Sequence, residues 1–265
     1  MNIPLPFSGK TNSFGGTMTA AFPSLLPPHF VLLFKDSDCN SDDNVVSYIY
    51  EIMRRSEMLI IGICGASGSG KSTLAEELQA RLNQKCLYIK QDSYYRDHPD
   101  LTYEQRTQIN YDMPEAFEHD ALCADLCALA EGKPITAKNY DYTQHRRADT
   151  AEMIEPADVI LIEGIHTFYD PAVRNMMDFK IYIQVDPDIC LLRRVERDLR
   201  ERGRSIESIS EQYRQTVKPM YELYIRNYAK YADLIVANGG RNARIVDLLA
   251  LYINSGMIAE KKTKG

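Results

Sequence analysis

The sequence predicts an α/β fold in which a parallel sheet of about five strands is covered by helices on both faces. Two observations support this prediction. Short apolar runs alternate along the chain with longer stretches that have helical spacing, and this alternation favours parallel strand pairing through helical crossovers. The first run, residues 59–64, is apolar throughout and is followed by Gly65, as is typical of a strand buried on both faces.

The elements follow in order after a first segment of different composition. Residues 1–57 are rich in Gly, Ser, Thr, Pro and Asn, which predicts a weakly ordered N-terminal extension before a domain that spans residues 58–265. The predicted strands are 59–64, 87–89, 159–162, 181–185 and 234–236. The predicted helices, which carry apolar residues on one face, are 72–82, 115–130, 189–200, 206–228 and 243–253.

Composition and charge exclude several classes of protein. The 265 residues are 45% hydrophobic and 26% charged, which is normal for a globular domain. The net charge of −6 argues against a nucleic-acid partner, because no broad basic field is available. The apolar stretch at 22–34 is short and contains prolines, so no membrane span is predicted. Cysteine spacing fits neither zinc nor disulfide patterns; Cys123 and Cys127 are predicted to be buried free thiols, which fits a cytoplasmic location.

A glycine-rich segment between the first strand and the first helix predicts a phosphate-binding loop. It matches the pattern G-x-x-x-x-G-K-S and comprises Gly65, Ala66, Ser67, Gly68, Ser69, Gly70, Lys71, Ser72 and Thr73. Glycines let successive backbone N–H groups point at phosphate oxygens, and the following helix adds its positive end. Lys71 supplies a charge for the β- and γ-phosphates, and the Ser72 hydroxyl can bind Mg²⁺. The fold is therefore predicted to be of the P-loop NTPase type, with ATP or GTP as its nucleotide.

Two carboxylates are predicted to face the same crevice as Lys71. Asp92 follows the second strand and Glu163 ends the third, and functional groups collect at the carboxyl ends of parallel strands. Asp92 is the candidate general base and could also share a metal ion through water, although a turn or helix-capping role is the alternative. Glu163 is the candidate magnesium ligand, since a carboxylate that ends an apolar strand is costly without a cation.

Several separate blocks give the chain a specific resemblance to a known family. Over residues 58–255 it resembles the uridine–cytidine kinase family, within the wider group that includes phosphoribulokinase. Besides the glycine-rich segment, the blocks are KQDSYYR at 90–96, NYDMPEAFEHD at 110–120, NYDYTQHRR at 139–147, DVILIEGI at 158–165, RRVERDLRERGR at 193–204 and YADLIVANGG at 231–240. The resemblance implies a nucleoside kinase domain and, by the habit of the family, a homo-oligomer, commonly a tetramer.

The resemblance also implies roles for individual residues. Asp92 matches the catalytic aspartate at the nucleoside 5′-hydroxyl, and Asp112 matches the aspartate that binds the ribose 2′- and 3′-hydroxyls. A hairpin carrying Tyr140, Tyr142 and His145 would hold the pyrimidine. Taken alone, the two tyrosines would also fit an ordinary half-buried strand, and the histidine a structural position.

The same resemblance assigns the metal site and a mobile segment over the phosphates. Glu163 and Ser72 match the magnesium site. Arg197, Arg202 and Arg204 fall in a segment that closes over the phosphates, and Gln212 aligns with a further substrate contact. Arginine can bridge phosphate oxygens in the transition state, and Gly203 offers a hinge between Arg202 and Arg204. Arg193 and Arg200 are interpreted instead as part of a solvated charged helix.

Two other functions remain open on the sequence alone. The acceptor could be a different ribosyl compound or a phosphorylated sugar, as in phosphoribulokinase, although Asp112 and the aromatic hairpin favour a nucleoside. Alternatively, the chain could be a nucleotide-binding regulatory module without turnover. A GTPase switch would need an N-K-x-D motif after a late strand, and the sequence has none.

Overall fold

The computed structural model of the chain describes residues 58–240 and 242–256. The predicted extension over residues 1–57, including its apolar stretch at 22–34, lies outside the described residues. Within the described part of the chain, no helix is long and apolar enough to cross a membrane.

Nine strands and eight α-helices are present in the described residues. The strands are β1 (Leu59–Gly65), β2 (Cys86–Lys90), β3 (Ile135–Thr136), β4 (Tyr140–Asp141), β5 (Arg146–Arg147), β6 (Met153–Ile154), β7 (Val159–Gly164), β8 (Phe179–Gln184) and β9 (Leu234–Ala237). The helices are α1 (Lys71–Gln79), α2 (Tyr103–Arg106), α3 (His119–Ala130), α4 (Pro171–Asn175), α5 (Pro187–Glu201), α6 (Ile206–Gln212), α7 (Lys218–Leu223) and α8 (Ala243–Asn254).

The central sheet has five strands in the order β2-β7-β1-β8-β9. Each neighbouring pair is parallel, which confirms the predicted fold class. In the middle of the sheet, Ile61 of β1 lies opposite Leu161 on one side and Phe179 on the other. Because the strands are parallel, the loops that follow β1, β2 and β7 leave the sheet at the same edge.

Both faces of the sheet are buried, as the continuous apolar runs predicted. Successive residues of β1 point to opposite faces: Ile60 belongs to one hydrophobic cluster and Ile61 to the other. Helices α1 and α8 cover the Ile61 face with residues such as Leu78 and Leu249. Helix α3 covers the Ile60 face with residues such as Leu126. The sheet is therefore held rigidly between helices, and its strand ends are fixed in position.

A short antiparallel hairpin, β4-β5, stands beside the central sheet at the predicted position. Its tip is closed by the Asp141 carboxylate, which accepts hydrogen bonds from the backbone N–H groups of Thr143 at 2.7 Å and Gln144 at 3.2 Å. Aspartate favours such turns because its short side chain reaches the backbone two residues ahead. His145 follows with φ of 49°, a conformation that is uncommon for a residue other than glycine.

The prediction of one long helix over 206–228 was wrong. Helix α6 ends at Gln212, a π-helical turn spans Tyr213–Val217, α7 spans Lys218–Leu223, and a 3₁₀ segment, Ile225–Tyr231, follows. Pro219 explains the first interruption, because proline lacks an N–H group and its ring clashes with the carbonyl four residues earlier.

The predicted helix over 115–130 also begins later than expected. A 3₁₀ turn, Pro114–Ala116, comes first, and Phe117 is extended before α3 starts at His119. Phe117 is buried and forms an isolated bridge with Tyr95, so its tertiary contact overrides the local helical pattern. Cys123 and Cys127 of α3 are free thiols, but they are half-buried rather than fully buried.

Candidate active site

The glycine-rich segment forms a closed loop between β1 and α1. The backbone N–H of Ser69 donates to the carbonyl of Ala66 at 3.1 Å. Gly68 has φ of 83°, and a Cβ atom at this position would lie 2.3 Å from the carbonyl oxygen of Cys190. Only glycine fits there, because a side chain would be both strained and blocked. The loop is therefore shaped by close packing against the start of α5.

Lys71 begins helix α1 and is buried beneath the loop. Its Nζ donates to the carbonyl oxygen of Ala66 at 2.9 Å, so its charge is held inside the curve of the loop. The N-terminus of α1 adds a partial positive charge at the same place. A charged amine, unpaired helix N–H groups and a curled backbone together make an anion site suited to the phosphates of a nucleotide.

Glu163 lies near the end of β7, directly beside the start of α1. Its Oε1 accepts hydrogen bonds from the Ser72 hydroxyl at 3.0 Å and from the Tyr88 phenol at 3.1 Å. Burial raises the pKa of Glu163, while the nearby Lys71 ammonium opposes that rise. The sheet register places β2 and β7 side by side, which explains how the phenol on β2 reaches a carboxylate on β7.

The residues at this point fit a magnesium ion. Glu163 is a buried carboxylate only 8% exposed, and its pairing with the Ser72 hydroxyl brings together two hard oxygen donors. Magnesium is commonly held by one or two protein oxygens, with water and substrate phosphates completing its shell. The described residues contain no cluster of three or more acidic, histidine or cysteine side chains that could hold a metal ion.

Asp92 lies in the 3₁₀ turn Gln91–Tyr94 that follows β2. Its Oδ2 accepts a hydrogen bond from the Tyr142 phenol at 2.8 Å. Its negative charge contributes to the raised pKa of both Glu163 and Asp112. The structure thus brings Lys71, Asp92 and Glu163 to the same edge of the sheet, as the sequence predicted.

Asp112 is a third carboxylate of the site and is almost fully buried. The Thr216 hydroxyl donates to its Oδ2 at 2.8 Å, and its backbone N–H donates to the Asn110 side-chain oxygen at 3.0 Å. Burial raises the pKa of Asp112, and the guanidinium of Arg194 is the main opposing influence. A single pocket is lined by Ser67 of the loop, Asp112 and Arg194, so the phosphate-binding loop and this carboxylate face a common space.

The hairpin places one aromatic ring, that of Tyr142, on Asp92 and packs its other rings against neighbouring aromatic residues. Tyr140 packs against Tyr95 with ring centroids 4.8 Å apart, and His145 stacks on Tyr111 at 5.2 Å with an interplanar angle of 18°. Burial, followed by the charges of nearby arginines, lowers the pKa of His145, which favours a neutral ring at neutral pH. Flat rings and a neutral imidazole can stack on, and hydrogen-bond to, a heterocyclic base.

Residues 193–204 are here named the lid segment. Several of their arginines surround a buried aspartate. Asp198 of α5 is 0% exposed. Four guanidinium groups lie within 4 Å of its carboxylate. They belong to Arg194 at 3.6 Å, Arg197 at 2.7 Å, Arg202 at 3.6 Å and Arg204 at 3.7 Å.

Two of these arginines also reach the other parts of the site. Arg194 donates to the Ser67 hydroxyl and to the Gln212 side-chain oxygen, both at 2.9 Å. Arg204 shares the same Gln212 oxygen, so Gln212 links two arginines. The guanidinium of Arg202 lies 4.3 Å from the ring centroid of Tyr142, which connects the lid segment to the hairpin.

The remaining predicted residue lies at the margin of this network. Arg197 donates to the Asp198 carboxylate at 2.8 and 2.7 Å through two nitrogens. Arg200, interpreted as a solvated position, pairs at the surface with Glu201 and is 79% exposed. Sequence reasoning did not single out Arg194, Tyr88 or Thr216 as site residues. Of these, only Arg194 had an available signal, its spacing of four residues from Asp198 on one helix.

Comparison with known proteins assigns this arrangement to a family. The model of the phosphoribulokinase / uridine kinase family matches residues 60–244. The uridine kinase of Lactobacillus helveticus (strain DPC 4571) is 45% identical over 199 residues, which cover 74% of this chain and 94% of that protein. The uridine kinase of Halalkalibacterium halodurans is 43% identical over 204 residues, 77% of this chain and 96% of that protein.

A solved structure supports the fold independently. Phosphoribulokinase from Rhodobacter spheroides has a TM-score of 0.53 and 16% identity, and the match covers 68% of this chain and 70% of that one. At this low identity the similarity concerns the fold alone. It agrees with the fold described above.

Proposed function

The chain belongs to the phosphoribulokinase / uridine kinase family, and on that basis we propose that it is a uridine kinase that also accepts cytidine. It transfers the γ-phosphate of ATP or GTP to the 5′-hydroxyl of the nucleoside and so serves pyrimidine salvage. The match between this chain and the relatives named uridine kinase covers nearly the whole length of those relatives.

The observation that carries the proposal is the hydrogen bond of 2.8 Å between Tyr142 and Asp92. Tyr142 belongs to the aromatic hairpin, and Asp92 lies at the strand edge beside the phosphate-binding loop. The bond therefore joins the part of the site suited to a base with the part suited to phosphoryl transfer. A nucleoside held by the hairpin would present its sugar to Asp92, which is the arrangement that a nucleoside kinase requires.

The reaction can be written from these residues. The 5′-oxygen forms a bond to the γ-phosphorus, the bond from that phosphorus to the β,γ-bridging oxygen breaks, and ADP or GDP leaves. Asp92 accepts the proton of the 5′-hydroxyl. Lys71 stabilises charge on the β- and γ-phosphates, and Arg202 and Arg204 add positive charge from the lid segment.

Ser72 and Glu163 would hold Mg²⁺, with Asp92 connected to the ion through water. When bound, the ion neutralises charge on the β- and γ-oxygens. Their own geometry supports this role, since the Ser72 hydroxyl already contacts the Glu163 carboxylate. Tyr88 contacts the same carboxylate oxygen and would keep it oriented toward the hydroxyl.

Asp112 would select the sugar. A buried carboxylate that accepts both vicinal hydroxyls of a ribose discriminates against sugars that lack one of them, because an unpaired buried acceptor is costly. Tyr140, Tyr142 and His145 would hold the pyrimidine ring, and Gln212 and Arg197 would complete the nucleoside side of the site. Gln212 is suited to this because two guanidinium groups already fix its side-chain oxygen.

The test is a panel of acceptors with γ-labelled ATP and Mg²⁺. We expect uridine and cytidine to be phosphorylated efficiently, and 2′-deoxyuridine, adenosine and ribulose 5-phosphate to be poor acceptors. A Lys71→Met variant serves as the matched control and should lose transfer to every acceptor. Preferential labelling of ribulose 5-phosphate would contradict the nucleoside assignment, and no transfer to any acceptor would contradict a kinase function.

A further inference from the structure

A buried histidine connects the segments that carry the two aspartates of the site. His166 follows β7 and is 0% exposed. Its Nε2 lies 2.7 Å from the backbone carbonyl oxygen of Asp112, and its Nδ1 lies 2.9 Å from the phenol oxygen of Tyr228. Its backbone N–H donates to the side-chain oxygen of Gln91 at 2.9 Å. One residue thus contacts three distant segments of the chain.

The contacts fix which nitrogen of the ring carries the proton. A backbone carbonyl can only accept, so Nε2 must be the donor to Asp112. Nδ1 is then free to accept the hydrogen of the Tyr228 phenol. Burial lowers the pKa of His166 to about 4, in agreement with a neutral ring that has one donor and one acceptor. Both ring nitrogens are satisfied, as a buried polar group requires.

The bond to Asp112 completes a set of restraints on that residue. The carbonyl is held by His166, the backbone N–H by Asn110, and the carboxylate by Thr216. Two of these hydrogen bonds fix the backbone of Asp112 and the third fixes one carboxylate oxygen. These bonds therefore set the direction in which the other carboxylate oxygen of Asp112 points. His166 provides one of them.

The other end of the connection lies beside Asp92. Gln91 is 1% exposed and immediately precedes Asp92. A Cβ atom on Gly164 would lie 2.3 Å from the Gln91 side-chain oxygen, so a glycine is needed after Glu163 for Gln91 to reach His166. The backbone of residue 166 therefore positions the Asp92 turn, while its side chain positions Asp112.

We propose that His166 is a positioning residue that sets the placement of the ribose-binding Asp112 relative to the phosphoryl-accepting site at Asp92. The proposal rests on the proposed function, since it assigns Asp112 to the ribose. Loss of the imidazole would leave the carbonyl of Asp112 without its donor. The carboxylate would then lose its aim toward the 2′- and 3′-hydroxyls, while the nucleotide side of the site would be unchanged.

The experiment compares wild type with His166→Leu and His166→Gln. Leucine fills the space without a donor, whereas the glutamine amide restores an N–H group near the position of Nε2. The kinetic constants are measured for uridine, 2′-deoxyuridine and ATP. For His166→Leu we expect KM for uridine to rise about fivefold to tenfold, the value expected for one lost buried hydrogen bond, and the preference for uridine over 2′-deoxyuridine to fall by a similar factor.

The glutamine variant and the KM for ATP distinguish a positioning role of His166 from a role in packing. His166→Gln should recover most of the ribose preference, and KM for ATP should stay within about twofold of wild type in both variants. If His166→Leu fails to fold, His166→Met, which also lacks a donor, is measured in the same way and should lower the ribose preference with KM for ATP unchanged.

An unchanged ribose preference in these variants, even with lowered thermal stability, would overturn the proposal and leave His166 a packing residue. Equal losses in the glutamine and leucine variants would also overturn it. Failure of the wild-type protein to phosphorylate any nucleoside would instead overturn the proposed function, so the two failures are distinguishable.

Discussion

At the scale of single residues, the site depends on carboxylates that are buried yet oriented. Asp112 loses solvation on burial, which raises its pKa, and the Thr216 hydrogen bond and the Arg194 charge partly compensate. Such a group binds a diol well only if it stays ionised and fixed. The hydroxyl of Thr216 serves both needs, because it stabilises the charged form and holds Oδ2 in place.

Thr216→Val should therefore weaken nucleoside binding without affecting the nucleotide. The substitution preserves shape and removes a donor 2.8 Å from a buried carboxylate. We expect KM for uridine to rise about fivefold, the equivalent of about 1 kcal/mol. Steady-state kinetics check this, with Thr216→Ser as the variant that keeps the hydroxyl. Equal values for valine and serine would show that the hydrogen bond does not matter to binding.

The sequence predicted the residues whose signal is local and missed those whose signal is distant. Lys71, Ser72 and Glu163 belong to strand-end or loop patterns, and they meet as expected. Thr216 contacts Asp112 across 104 positions of sequence, and Tyr88 contacts Glu163 across 75. Neither distance leaves a periodic pattern in a single chain, so only the folded sheet could reveal these partners.

At the scale of elements, α5 and the lid segment form one electrostatic unit. Asp198 lies in the buried side of the helix, and the four arginine side chains around it would repel one another without its charge. Helical spacing brings Arg194 and Arg202 to Asp198, since each is four positions away. Arg204 arrives differently, through the turn at Gly203, whose φ is 60°.

Asp198→Asn should destabilise the protein strongly. Removal of one partner from a buried ionic cluster leaves uncompensated charge, which costs about 3 kcal/mol or more. Urea unfolding should show a matching loss in the free energy of unfolding, accompanied by a lower kcat. The control is Glu201→Gln, which breaks an exposed pair with Arg200 and should cost less than about 1 kcal/mol. Similar losses in the two variants would contradict the account of Asp198.

The elements were predicted well where apolar periodicity dominates and poorly where it is interrupted. The five strands of the central sheet were all identified from apolar runs. The stretch over 206–228 was predicted as one helix because its apolar spacing continues through Pro219. Within this stretch the structure instead has a π-helical turn, Tyr213–Val217, and this turn carries Thr216. Such turns are frequent at functional sites, so the misprediction fell at a site residue.

At the scale of the whole molecule, the parallel sheet assembles the site. Lys71, Asp92 and Glu163 follow or end β1, β2 and β7, which are neighbours in the order β2-β7-β1. Helices on both faces keep these strand ends rigid. The sequence predicted this placement from topology alone, whereas the contacts of His166, which fasten the sheet to the loop of Asp112, had no sequence signal.

Stability of the whole molecule should depend on pH through His166. The pKa is lowered by burial to about 4 from an ordinary value of 6.5, with His119 and Lys71 as the nearby groups that lower it further and Tyr228 as the facing phenol. Between these values the unfolded chain binds a proton that the folded chain does not. The stabilisation is therefore complete above about pH 6.5 and is lost as pH falls toward about 4.

Comparing the pH dependence of the free energy of unfolding between wild type and His166→Gln isolates this effect. His166→Gln cannot titrate, while other groups titrate equally in both chains. On lowering the pH from about 7 to about 4, wild type should lose about 3 kcal/mol more in the free energy of unfolding than the variant does. Chemical denaturation at several pH values measures this. Parallel pH profiles would mean that the ring is not held neutral.

The central claim is that Asp92 takes the proton of the acceptor beside a P-loop nucleotide site. The most direct test measures the turnover and the nucleotide affinity of Asp92→Asn. We expect kcat with uridine to fall by about 10²–10⁴, while calorimetry gives an ATP dissociation constant within about twofold of wild type. Asp100→Asn, the same change at an exposed position, should leave both unchanged. Turnover by Asp92→Asn near the wild-type rate would contradict the account.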